Sequence, residues 1–205
     1  MDKNNNKALT GASAAVVAFS LWGAIPIYFK SVSHIPAFEI LAHRVVWTVV
    51  FLGIIIILKG SLGNVFSVFK NKKLFLTLIV SSFLISCNWL VFIWAVANGQ
   101  ILEASLGYFT TPIVSVAFGL FFLKEKLSSW QWFAVGLSIL SVSNLFWSHG
   151  SFPWIAISVS ITFGLYGLVR KIAKVDAFSG LFVETSVLVL PMLVYLFLIG
   201  FNGNG

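Results

Sequence analysis

Five ionisable residues, Glu39, His43, Arg44, Glu103 and Glu184, stand inside long apolar runs of the sequence. A charged side chain at the centre of a bilayer costs about 2.5–3.5 kcal/mol on insertion scales, so such residues are retained for a partner or a task. Glu39 and His43 are four residues apart and share a helical face, with Arg44 turned about 100° from His43. Arg44 lies seven residues into its run, about 10 Å deep at 1.5 Å per residue. From there its side chain can snorkel to the outer interface, or it can stay as a fixed positive charge that attracts an anionic or carboxylate-bearing solute. Glu103 opens another run, in which Gly107, Thr111, Ser115 and Gly119 recur every fourth residue. A stripe of small residues lets a second helix approach closely. Glu103 is therefore expected to face protein, as an ion-pair partner for Arg44 in preference to a proton acceptor. Glu184 is about 10 Å in from the opposite side, which leaves roughly 10 Å between its level and that of Arg44 in a core of about 30 Å. Direct pairing would need tilt or a kink, for which Pro112 and Pro191 provide breaks. A carboxyl kept from water at that depth suits proton coupling.

Asn88, Trp89, Trp94 and Asn98 crowd the end of a third run, where tryptophans serve either as an interfacial belt or as a stacking wall for a planar solute. His34, His43 and His149 do not assemble with Cys87 into a metal set, since two of the histidines fall in loops or at interfaces. Cys87, the single cysteine, reads as a small apolar filler and excludes an intramolecular disulfide. No Ser-His-Asp, Walker-type or HExxH pattern is present, so neither an enzyme nor a cofactor is expected.

Seven stretches of spanning length carry these residues: Ala8–Phe29, Phe38–Leu58, Leu74–Ala97, Ile101–Leu123, Trp130–Trp147, Phe152–Val169 and Phe178–Phe201. The chain is 59% hydrophobic and 9% charged, against about 25% charged in a soluble domain. Backbone in lipid must satisfy its own hydrogen bonds, and runs of about 20 residues without period-2 alternation do so as helices. The expected fold is an all-α polytopic bundle.

The net charge of +7 is unevenly placed. Lys3 and Lys7, then Lys59, Lys70, Lys72 and Lys73, then Lys124 and Lys126, then Arg170, Lys171 and Lys174 all fall on one side, against Lys30 alone on the other. Short basic loops stay cytoplasmic, so the N-terminus is expected inside an inner (plasma) membrane. These charges read as topology signals and lipid contacts, with no nucleic-acid surface. The first run is too long for a signal peptide and lacks a small-residue cleavage site, so it is expected to be retained.

A weak internal echo runs along the chain. Ser20-Leu21-Trp22-Gly23 resembles Gly164-Leu165-Tyr166-Gly167, and Ala37-Phe38 resembles Ala177-Phe178, which sets Arg44 in register with Glu184. Five spans separate the copies, so the second is inverted, as in secondary transporters with a solute site at the repeat interface. On this reading residues 1–147 form a first five-helix repeat, and residues 148–205 hold the first two helices of a second one that stops short.

Several blocks resemble the drug/metabolite transporter superfamily with EamA-type repeats, and within it the RarD branch of chloramphenicol-sensitivity proteins. They are Leu21-Trp22-Gly23 with Tyr28-Phe29-Lys30, Glu39 to Val45, Asn88 to Val96, Leu102 to Phe109, Phe122 to Leu127, Tyr166 to Lys171, and Glu184-Thr185. Tyr108 and Tyr166, which stand in two of these blocks, join Glu39, His43, Arg44, Asn88, Trp89, Trp94, Glu103 and Glu184 as candidate binding or coupling residues. The resemblance implies ten helices in two inverted five-helix repeats, moving small metabolites or drugs by alternating access. Because three helices of that plan are missing, the 205-residue chain is expected not to transport alone. The alternative is a membrane interaction protein or an inactive fragment, and assembly of several copies stays open. The solute, the coupling ion and the direction of flux have no signature in the sequence.

Overall fold

A computed structural model describes the backbone of residues 3–149 and 152–201, and the side chains of residues 9–144 and 152–201. The side chains of Lys3, Lys7, Trp147 and His149 therefore lie outside the described residues. Among the described residues every regular element is a helix: α1 (Lys3–Ser31), α2 (Ala37–Leu58), α3 (Leu62–Lys70), α4 (Lys72–Ala97), α5 (Ile101–Leu123), α6 (Ser129–His149), α7 (Trp154–Ala173) and α8 (Ala177–Phe201). Within those residues six of them, α1, α2, α4, α5, α7 and α8, are long and apolar enough to cross a membrane. The protein is a multi-pass helical membrane bundle. The seventh expected span, Trp130–Trp147, is the helix α6.

One element departs from the sequence expectation. The stretch between Lys59 and Lys73 reads as a hydrophilic connection, yet Leu62–Lys70 folds into a helix. Val65 and Val68 are buried against Ile56, Leu78 and Val183, while Leu62, Phe66 and Phe69 remain exposed. Nine residues are too few for a span to be recognised, and burial of the two valines supplies what local propensity does not.

Tight turns join the helices. After α2 and α4 the chain takes positive φ at Gly60 and Gly99, and the next residue donates back over five positions, Ser61 N–H to the Ile56 carbonyl at 3.0 Å and Gln100 N–H to Ala95 at 2.7 Å. That is the Schellman closure, in which glycine avoids the Cβ clash of the left-handed region. The Asn71 side chain caps α4 by accepting from the Leu74 N–H at 3.1 Å. Both α5 and α8 run through their prolines, Pro112 and Pro191.

The core forms where α2 packs on α8 and where α7 packs on α4 and α5. Ile40, Leu41, Val45, Ile93, Val96, Ile155 and Val159 are its fully or almost fully buried members. Helix α1 lies on the flank, with most described side chains exposed and Phe29 as its buried anchor. The described side chains of α6 are also mostly exposed. The basic connections share one end of the bundle: Lys59 Nζ, after α2, lies 3.8 Å from the Phe178 ring centre at the start of α8. Glu125, after α5, pairs with Lys171 near the end of α7.

Candidate functional site

The interior between the helices is built from aromatic rings, with a cation at one end and an acid at the other. Phe29 (α1), Phe92 (α4), Tyr108 (α5), Phe163 and Tyr166 (both α7) follow one another with centroid spacings of 6.1, 5.6, 5.7 and 5.9 Å. Trp22 of α1 closes the side of this ladder, 5.9 Å from Tyr108 and 6.2 Å from Phe163. These are mostly edge-to-face contacts, the geometry the ring quadrupole favours.

Arg44 stands at the first end. Its guanidinium lies over Trp89 at 4.4 Å and near Phe29 at 5.4 Å. The two rings, one from α1 and one from α4, give the partly buried guanidinium cation–π contacts. Arg44 lines a cleft of about 360 Å³ together with Tyr28, Val32, Ile35, His43 and Trp47. With Trp47 it also lines an adjoining, more open cleft of about 550 Å³ bordered by Thr48 and Phe51.

The middle is held by Asn88, which is completely buried. Its amide donates to the Val159 carbonyl at 3.0 Å and to Thr162 Oγ1 at 3.1 Å, and its Oδ1 accepts from the Tyr108 hydroxyl at 3.2 Å. One side chain thereby ties α4, α5 and α7 together, its oxygen and both amide protons each meeting a protein partner.

Glu184 forms the second end and is completely buried. It accepts from the Ser81 hydroxyl at 2.6 Å and from the Tyr166 hydroxyl at 3.3 Å. Arg170 Nη1 makes an ion contact with Glu184 Oε1 at 3.5 Å, with no hydrogen bond from that nitrogen. The other guanidinium nitrogen donates to the Val175 and Asp176 carbonyls in the α7–α8 turn. The guanidinium fits because residue 180 has no side chain: a Cβ there would sit 1.7 Å from Arg170 Nη1.

The expected Glu103–Arg44 pair does not form. Glu103 is buried on the face of α5 that meets α7, and its Oε1 accepts from the Ile155 N–H at 3.2 Å in the first turn of α7. Helix N-termini carry unsatisfied N–H groups and partial positive charge, which makes them natural partners for a carboxylate. Glu184 likewise pairs with Arg170 and not with Arg44. Along the small-residue stripe, Gly107 lies at the α5–α7 crossing, where a Cβ would meet Val159 Cβ at 2.8 Å and the Ala156 carbonyl at 2.9 Å. Thr111 and Gly119 are buried on α5, and Ser115 is exposed.

The two tryptophans differ in setting. Trp89 carries Arg44, while Trp94 is 38% exposed and packs on Trp154 at 5.3 Å near the ends of α4 and α7. Glu39 is half-buried and His43 exposed. Cys87 is also exposed, and no cluster of metal-ligating side chains occurs among the described residues.

Ser81, Thr162, Arg170 and the rings of Trp22, Phe29, Phe92 and Phe163 are absent from the sequence-derived set. Arg170 looks like one more topology charge in a basic turn, and phenylalanines in a chain with 21 of them carry no individual signal. Trp22, Phe29, Phe92 and Arg170 stand in the blocks that carry the family resemblance, and Trp22 also in the echo with Tyr166, but none is singled out there as a site residue.

The chain matches the model of the EamA-like transporter family over residues 9–147. It is 41% identical over 186 residues to an uncharacterized transporter of Pseudomonas aeruginosa, covering 91% of this chain and 62% of that protein. An uncharacterized transporter of Vibrio cholerae is 40% identical, over 96% of this chain and 65% of its own length. Protein RarD of Escherichia coli is 41% identical over 92% of this chain and 64% of its own. The chain thus spans a little under two thirds of the curated relatives it matches. No solved structure matches it.

Proposed function

Because the chain belongs to the EamA-like transporter family, and its similar relatives include RarD proteins, we propose that it is transport machinery of an inner membrane, moving a small metabolite or drug by alternating access. One observation carries this reading: the aromatic ladder that runs between Arg44 and Glu184. Ring faces and edges offer a planar solute successive contacts of similar strength, while the two charged ends provide groups that change partners as the path opens and closes. The residues proposed to bind or couple are Arg44, Trp89, Asn88, Tyr108, Tyr166 and Glu184, with Glu39, His43, Trp94 and Glu103 around them. None of these roles is catalytic.

The division at residue 147 into a first repeat and the start of an inverted second one is part of the same proposal. The α2–α8 packing supports it, because helices that lie at an in-plane two-fold axis meet their counterparts, and these two open on Ala37-Phe38 and Ala177-Phe178. An N-terminus in the cytoplasm is supported by the gathering of basic turns at one end of the bundle.

The test is solute flux into proteoliposomes loaded with this chain, in parallel with a full-length relative, using radiolabelled amino acids, nucleosides and carboxylates. Saturable uptake that falls when Tyr108→Ala or Arg44→Ala is introduced, in the chain or at the matching position of the relative, supports the reading. Uptake indifferent to both substitutions at equal expression removes it. Lys59 is a poor control because it covers the Phe178 ring; the exposed Lys73 serves better.

A further inference from the structure

Resting on the transporter reading, we infer that Arg44 is the recognition point for the carboxylate of an aromatic or similarly planar organic anion. The inference begins with how the guanidinium is held. Its contacts are with the rings of Trp89 and Phe29, at 4.4 and 5.4 Å, and it makes no hydrogen bond or ion pair among the described residues. Neither ring offers an oxygen acceptor, so among the described residues the five N–H donors of the guanidinium have no hydrogen-bond partner, and their planar fork matches a carboxylate in two parallel hydrogen bonds.

The carboxylates of the bundle do not fill that role. Glu184 is taken by Ser81, Tyr166 and Arg170. Glu103 is turned to the first turn of α7. Glu39 precedes Arg44 by five residues, which places it about 140° around α2. A cation in an apolar membrane interior without a protein counter-charge is a site where an anion is favoured over a neutral solute, since pairing relieves the desolvation of both.

The surroundings define the rest of the ligand. Arg44 lies where two adjoining clefts of about 360 and 550 Å³ meet, volumes in the range of small-molecule sites. Tyr28 and Trp47 supply flat walls, Val32 and Ile35 an apolar floor, and Arg44 is the one permanent charge on either lining. A cationic solute would meet that charge at the mouth. A polar neutral solute would leave the fork unpaired.

The test is equilibrium binding to the chain in phosphatidylcholine nanodiscs with three radiolabelled probes of one shape: benzoate, its uncharged amide benzamide, and benzylamine. Benzoate is expected to bind at least about tenfold more tightly than the other two. Arg44→Gln should weaken benzoate by roughly thirtyfold or more, the size seen when one member of a desolvated charge pair is removed, and leave benzamide unchanged. Arg44→Lys should fall between, keeping the charge but losing the planar fork. Equal binding of benzoate and benzamide, no benzoate binding at all, or benzoate binding unchanged in Arg44→Gln each overturns the inference. Should Arg44→Gln fail to fold, Arg44→Lys decides: a preference for benzoate over benzamide that persists supports the site, and its loss overturns it. Binding is read without flux, so the two proposals fail separately. If benzoate binds the chain with the expected Arg44 dependence but uptake by the full-length relative is indifferent to the Tyr108→Ala and Arg44→Ala changes, the transport reading alone is lost; if that uptake depends on them while the chain shows no preference for the carboxylate, the anion site alone is lost.

Discussion

Glu184 and the groups around it show how much one side chain can settle inside a membrane. Three groups from α4 and α7, the Ser81 and Tyr166 hydroxyls and the Arg170 guanidinium, converge on it. Truncation by Glu184→Ala leaves all three short of a partner and is expected to destabilise the bundle by about 3–5 kcal/mol, whereas Glu184→Gln, which keeps an acceptor oxygen, should cost less. Thermal unfolding in a single detergent ranks the two. Gly180→Ala should resemble the loss of Arg170 from this cluster, since the new methyl takes the place of its guanidinium. A second residue-scale expectation concerns the turn before α8. Asp176 accepts from the Ser179 N–H at 2.9 Å and caps that helix. Burial by itself would raise its carboxyl, but hydrogen bonds from Ser179 and Phe178 and the nearby Arg170 charge outweigh it and hold the group below its ordinary value of 3.8. A depressed folded-state value means the cap is fully present at neutral pH, begins to weaken as pH drops below the unfolded value, and is lost as pH falls through the folded one. Asp176→Ala should therefore lower stability by about 1 kcal/mol at pH 7 and by progressively less below about pH 4. Unfolding followed across that range checks the sign. At this scale the sequence was half legible. Intramembrane charges announced themselves by their cost, but their partners did not, because Ser81 and Glu184 are 103 residues apart and nothing local links them.

Elements are positioned by where helices can approach. At Gly107 the α5 backbone meets α7 so closely that Gly107→Ala must push the helices apart, an overpacking cost of about 1–3 kcal/mol. Gly167, on α7 itself, has nothing within 4 Å of an added Cβ. There the same substitution should be neutral or stabilising by about 0.5–1 kcal/mol, since alanine orders a helix more cheaply than glycine. Opposite signs for two glycine-to-alanine changes across one helix pair are a sharp check, read from unfolding midpoints. The seven long helices were readable because length and apolarity are local properties of the chain. Helix α3 was not, because its nine residues are held by Val65 and Val68 against side chains from α2, α4 and α8. The small-residue stripe named the face of α5 where α7 packs at Gly107, yet Ser115 continues the four-residue spacing onto an exposed surface, and farther along the close approach to α7 is made at Gly164 against Val114 and Phe118.

For the molecule as a whole, the charge pattern assigns every basic turn to one end. A cysteine placed at position 71, after replacement of Cys87 by serine, is expected to react with a membrane-impermeant maleimide only in inverted vesicles or broken cells. Labelling in intact cells would reverse the orientation of the chain. The serine replacement is needed because Cys87 is exposed on α4. Residue pattern supplied the long helices, and the pairing of α2 with α8 and of α7 with α4 and α5 came only from the three-dimensional arrangement.

The pairing of α2 with α8 also sets a schedule for biosynthesis. Helix α2 leaves the ribosome about 140 residues before the partner that covers it, an interval of roughly 7–28 seconds at ordinary rates of translation. During that time the face that will meet α8 waits uncovered in lipid, while Arg44 finds Phe29 of α1 already made and Trp89 of α4 made well before α8. Nascent chains arrested after α6 should therefore remain sensitive to an intramembrane protease or open to capture by an insertion chaperone, and protection should appear in one step once α8 has emerged. Gradual protection, growing helix by helix, would mean that α2 finds a provisional partner along the way.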